Sequence, residues 1–119
     1  MPITDSILST VKSHMGIQPT FTGFDNAIIP IVNSMFGSVR RLGVGPTSFS
    51  IDSEEKTWKD YLGENDDLYV NAHMYICMST RLAFDPPQNS FLVTALQEKI
   101  KEYEWELEVL STLNKEETT

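Results

Sequence analysis

The stretch RLAFDPPQNSF, Arg81 to Phe91, leaves a chain like this few ways to fold. On either side of it lies a long run of helical periodicity, and Asp85-Pro86-Pro87 separates the two with almost no linker. The first proline pushes Asp85 out of the helical region, and neither proline has the N–H that a continuing helix needs. Asn89 or Ser90 can cap the next helix immediately. The two longest helices must therefore reverse on a stiff corner, which fixes their angle where glycines would leave it loose.

Before the corner, Asn65 offers a cap, and Asp66 and Asp67 place two acids at the positive end of the dipole. The body of that helix, LYVNAHMYICMSTRLAF, is apolar nearly all round. Leu68, Ala72, Ile76 and Ala83 form one row, and Val70, Met74, Cys77 and Met78 fill much of the rest. Such a helix belongs in the middle of a bundle.

After the corner, a helix from Phe91 to about Leu113 carries a narrow stripe of Leu92, Leu96, Ile100, Tyr103, Leu107 and Leu110, expected to face the core. Phe91, Trp105, Val109 and Leu113 fall on the opposite side, among Glu98, Glu102, Glu106 and Glu108. Glutamates four apart repel one another mildly, and a basic partner surface would relieve them. Trp105 and Val109 on that face suggest a second contact surface. The alternative is a solvated face with one stray aromatic, since single exposed apolar residues are ordinary.

The first half of the chain reads as two helices, a loop and a short helix. Asp5 to Met15 follows Thr4 as cap, gathers Ile7, Leu8, Val11 and Met15 on one face, and stops at Gly16. A second helix spans Asp25 to Leu42, with Ile28, Val32, Met35, Val39 and Leu42 as its stripe and Asn33, Gly37 and Arg40 on the other side. Pro30 leaves open whether it starts at Asp25 or a few residues later. Arg40 and Arg41 suit its negative end, and Gly43 fits a Schellman stop in which Val39 meets Val44. Residues 44–56 show no helical period. They are expected to leave the bundle as a long loop, with Val44, Gly45, Pro46, Phe49, Ile51, Glu54, Glu55 and Lys56 as candidates for an external contact. Thr57 then caps a short helix that Asp60 supports, Trp58, Tyr61 and Leu62 anchor, and Gly63 ends. The expected fold is all-α, a compact bundle of four main helices plus one short helix. It forms a single domain over residues 1–119, with a frayed tail at 112–119.

Chemistry is sparse along this chain. Nine basic against seventeen acidic residues give a net charge of −8, which repels nucleic acid and anionic membrane. No stretch approaches the roughly 18 apolar residues of a membrane span, and the N-terminus lacks the pattern of a signal peptide. The single cysteine, Cys77, excludes an intramolecular disulfide and suits a reducing compartment. His73 and Cys77 are four apart on one helix, but His14 is the only other histidine, so packed core residues are a better reading than a zinc site. GVGP follows a helix rather than a strand, and its proline removes a donor that a phosphate loop would need. No catalytic residue, metal or cofactor is expected.

Several segments in order, RRLGVGP, TWKDYLGENDDL, RLAFDPP and SFLVTALQEKIKEYEWEL, resemble the head-tail connector proteins of tailed bacteriophages. The resemblance covers about Asp5 to Leu110. It rests most on the stop around Gly43, the Trp58 and Gly63 segment, the corner of Arg81, Asp85, Pro86 and Pro87, and Trp105 downstream. Pro30 departs from that pattern. The resemblance implies a non-enzymatic helical subunit of a ring that docks on the portal protein after DNA packaging. Such a ring extends the channel and meets a stopper or tail-completion protein. Double-stranded DNA would pass through without sequence recognition. The expected location is the virion, and the host cytoplasm during assembly, with the free state open between monomer and oligomer. Trp105, Val109, Phe91, Glu98 and Glu102 would offer one subunit or portal contact and Arg40 with Arg41 another. A different class, a small phage-encoded helical regulator binding one protein partner, shares the same composition.

Overall fold

The computed structural model describes residues 3–117. Five helices follow in order: α1 (Ile7–His14), α2 (Asp25–Arg41), α3 (Trp58–Leu62), α4 (Asp66–Phe84) and α5 (Ser90–Glu117). The all-α reading stands. α4 packs against each of the other four helices, most extensively α5 and then α2. The nearly all-round apolar helix is thus the central one, although Val70 and Ala83 remain exposed on it.

The corner is built as its residues require. The Asp85 amide closes α4 on the Arg81 carbonyl at 2.8 Å, and Asn89 Oδ1 accepts the Phe91 amide at 2.8 Å to start α5. Leu107 and Ile100 of the expected stripe are buried, and Leu96, Tyr103 and Leu110, partly buried, pack against the core. Leu92 departs from the expectation, being 57% exposed. In the first turn of α5 it shares a shallow hollow with Arg81, Pro87, Ala95, Leu96 and Lys99, which leaves more than half of it open. The helix itself continues to Glu117, through most of the segment expected as a frayed tail; residues 118–119 lie outside the described ones.

α1 starts later than expected, at Ile7, with Ser6 rather than Thr4 as its cap. The cause is a pairing with distant chain. Ile7 donates to the Lys56 carbonyl (3.0 Å), Trp58 to that of Asp5 (3.3 Å) and Lys59 to that of Ile3 (2.8 Å), around an antiparallel bridge between Ser6 and Thr57. Backbone groups engaged in this seam cannot also serve a helix. The seam delivers α3, whose capping box of Thr57 and Asp60 forms as expected, and seats the fully buried Trp58 with its indole N–H on Thr10 Oγ1 at 3.1 Å.

α2 begins at Asp25, so Pro30 lies inside it. Pro30 and Asn26 are both exposed, and solvent can serve the Asn26 carbonyl that the missing N–H would have met. At its end the two Schellman bonds are present, Gly43 to the Arg40 carbonyl (2.9 Å) and Val44 to that of Val39 (3.4 Å). Gly43 has φ +93°, and a Cβ there would run into the Ser111 hydroxyl, which itself donates to the Gly43 carbonyl at 3.0 Å. Both the backbone and the neighbour from α5 forbid a side chain. Gly43→Ala is therefore expected to lower stability by about 2 kcal/mol in chemical denaturation, and adding Ser111→Ala should recover only the part due to the clash.

Residues 44–56 do not leave the bundle. Val44 and Ile51 are each 3% exposed. Asn33 grips the Ile51 backbone twice, donating to its carbonyl (3.0 Å) and accepting its amide (2.8 Å). The Phe49 ring packs on Phe36 and Tyr61, with centroids 4.9 and 4.8 Å away. The segment is a strap, and the brief alternation of Phe49 and Ile51 is its anchor. Tyr61 sits beneath it with its hydroxyl buried and no partner among the described residues, and burial pushes its pKa far up. Tyr61→Phe removes that unsatisfied group at constant shape. It is expected to be neutral or to stabilise by up to about 1 kcal/mol, read from the denaturation midpoint.

Candidate interface surfaces

Most of the candidate contact residues fall on two faces. On the outer side of α5, Trp105 is 64% and Phe91 84% exposed, with Val109, Leu113, Glu98 and Glu102 exposed as well. Phe91 stands at the corner end of the helix. Trp105, Val109 and Leu113 form a continuous strip together with Glu108 and Thr112, around a shallow dent. Between Glu98 and Glu108 the helix carries five glutamates and two lysines. Only Glu102 is paired among the described residues, with Lys99 at 3.2 Å.

The second face lies where α2 meets the strap. Arg40 and Arg41 are exposed, and among the described residues neither has a carboxylate partner; Arg41 donates to Ser38 Oγ at 3.0 Å. Beside them a hollow of about 280 Å³ is walled by Asn33, Phe36, Arg40, Pro46 and Phe49. The Lys56 ammonium stands 5.1 Å from the Phe49 ring centre and donates to the Ser50 carbonyl at 2.8 Å. In a chain of net charge −8, Arg40 thus puts a positive charge on the wall of a hollow with an aromatic floor. The strap candidates divide accordingly. Val44 and Ile51 are buried and face the core, Gly45 and Phe49 are half-buried, and Pro46, Glu54, Glu55 and Lys56 are exposed. The hollow itself was not readable from sequence, because it joins residues of α2 to a segment that shows no period.

Two further features escaped the sequence reading. Lys12 is 0% exposed, with its ammonium on the Pro19 carbonyl (3.0 Å), 2.9 Å from Asp25 Oδ1 in an ion pair off hydrogen-bond alignment, and 3.6 Å from Glu54. Its position four after Leu8 and three before Met15, on the apolar face of α1, was the available signal. Phe21 and Phe24 are exposed yet stacked edge to face, and Phe24 reaches Phe84 at the end of α4 with centroids 5.6 Å apart.

The two histidines come together, as their separation in sequence did not suggest. His73 stacks on the Tyr69 ring at 4.6 Å, holds its Nδ1 2.9 Å from the Tyr69 carbonyl and meets His14 edge-on at 6.2 Å. Burial lowers the pKa of both, and for His14 the charge of His73 adds to the effect. Cys77 is buried one turn away, and burial raises its thiol far up. Among the described residues no three His, Cys, Asp or Glu groups come close enough to share a metal ion. Histidines that are harder to protonate folded than unfolded destabilise the fold as pH falls from the free value near 6.5 through their lowered folded values. The melting temperature is thus expected to drop between pH 7.5 and 5.5, and His14→Gln with His73→Gln should flatten that slope.

With these surfaces defined, comparison with known proteins decides the family. A family model described as phage connector protein matches residues 7–114 of the 119. The chain belongs to the phage connector family. Searches of curated proteins and of solved structures gave no match. The phage connector is a structural component of the virion that works with other head and tail proteins, and its family is a structural rather than an enzymatic one. No described helix of this connector is long and apolar enough to cross a membrane. The residues that suggested the resemblance, from Gly43 through Trp58 and Gly63 to the corner and Trp105, all lie inside the matched span.

Proposed function

We propose that this connector is the subunit of a ring that docks on the portal after DNA packaging, extends its channel, and gives the stopper or tail-completion protein a platform. The observation that carries the reading is the presence of two unlike exposed faces on one connector subunit. The acidic, Trp-bearing face of α5 and the arginine face of α2 sit on helices that both pack on α4 and scarcely on each other. Two different patches per subunit are what a heterologous, rotationally closed contact requires. The net charge of −8 supports the channel role, since a wall of that sign does not hold phosphates. The subunit would accumulate in the host cytoplasm before joining the virion.

Electron microscopy of particles made with and without this protein tests the proposal. Heads filled with DNA but lacking tails, restored when purified connector is added, are expected. Tailed, infectious particles formed in its absence would remove the connector ring from the pathway.

A further inference from the structure

We infer that the Trp105 strip of one connector subunit seats in the Arg40 hollow of the next copy, an inference that rests on the ring reading above. Three observations converge on it. The strip presents an exposed tryptophan on the acidic face of α5, with Glu108 and Val109 beside Trp105 and excess glutamate along the helix. The hollow carries the complementary chemistry: Arg40, without a carboxylate partner among the described residues, is in its wall, Arg41 follows in sequence, and Lys56 stands over the ring of Phe49, which also lines it. At about 280 Å³ it has room for one indole, and its floor of Phe36 and Phe49 is aromatic.

Electrostatics chooses among the occupants. An acidic strip is repelled by DNA and by a second acidic strip, so a symmetric contact of α5 with itself places like charges face to face. Arginines with no carboxylate partner among the described residues meet a helix on which, of the five glutamates from Glu98 to Glu108, only Glu102 has a cation, Lys99, among those residues. A tryptophan between arginine planes and aromatic rings also gains cation–π attraction and a desolvated pocket, the usual setting of an interface hot spot. The contact joins unlike faces and therefore propagates from copy to copy until the ring closes.

Cysteine cross-linking in assembled particles tests this, because the only native cysteine, Cys77, is buried and silent. Thr112→Cys on the strip and Ser48→Cys on the rim of the hollow, both exposed, are combined in one chain and treated with a short bis-maleimide. A ladder of connector multimers from the double variant, with neither single variant linking to itself, is expected. Dimers from Thr112→Cys alone, or a link from it to a protein of another size, would show that α5 faces a different surface and would overturn the pairing. So would particles that contain the double variant but give no ladder.

A charge swap covers the case in which the cysteine variants misassemble. Arg40→Glu with Arg41→Glu should reduce incorporation into particles at least tenfold, and Glu102→Arg with Glu108→Arg in the same chain should restore most of it. Loss without recovery speaks against the pairing. Unmodified connector absent from tailed particles would instead sink the ring reading, and this pairing with it.

Discussion

The Trp105→Glu subunit is expected to fold like its parent, with unchanged circular dichroism and melting temperature, and to be missing from particles, leaving filled heads without tails. The fold tolerates the change because Trp105 is 64% exposed and lies across α5 from Ile100 and Leu107, so its ring adds little to the core. The assembly does not, for two reasons. A buried indole at an interface is commonly worth 2 kcal/mol or more, and the smaller carboxylate must shed its water against the aromatic floor of the neighbour's hollow, which it leaves unfilled. Around a ring the same loss recurs at every joint, so a modest defect per contact abolishes closure. Trp105→Phe should retain assembly in part. A normal yield of tailed particles from Trp105→Glu would place the subunit contact elsewhere.

Lys12→Ala should have the largest effect on the subunit itself, a loss of about 3 kcal/mol in urea or thermal unfolding. The lysine is fully enclosed and its ammonium serves the Pro19 carbonyl, Asp25 and Glu54 together. Without it Asp25, whose side chain is only 19% exposed, loses its cation, and α1, the 16–24 connection and the strap lose their common fastening. Lys12→Met keeps the bulk of the stem, so the difference between the two variants separates packing from charge. Adding Asp25→Asn to Lys12→Met should recover part of the loss, because it removes the stranded carboxylate. Equal stability of Lys12→Ala and the parent would mean that solvent reaches this pocket freely.

What the sequence made readable follows from how local each signal is. The corner, the Schellman stop at Gly43 and the Thr57 capping box are set by residues within one turn of each other, and all three form as read. The helices with long periodic stripes were also clear. The strap was misjudged because its order comes from Asn33, 18 residues from Ile51, and from rings contributed by α2 and α3, none of which leaves a period in the segment itself. The start of α1 was misplaced for the same reason, through pairing with residues 56–59. Of the contact faces, the α5 strip was visible from helical phase alone. The hollow that would receive it was not, since only the folded strap brings Phe49 beside Arg40.

The seam between the N-terminal segment and residues 56–59 also sets an order of events. α4 and α5 adjoin through a tight corner and can find each other early, whereas the seam closes chain far apart: Trp58 and Thr10, which it brings into contact, are 48 residues apart. It should be the last region to lock during folding and the first to open afterwards. The amides of Ile7, Trp58 and Lys59 all donate across it, so in native-state hydrogen exchange they should lose protection together, as one cooperative unit, while the central amides of α4 stay protected up to global unfolding.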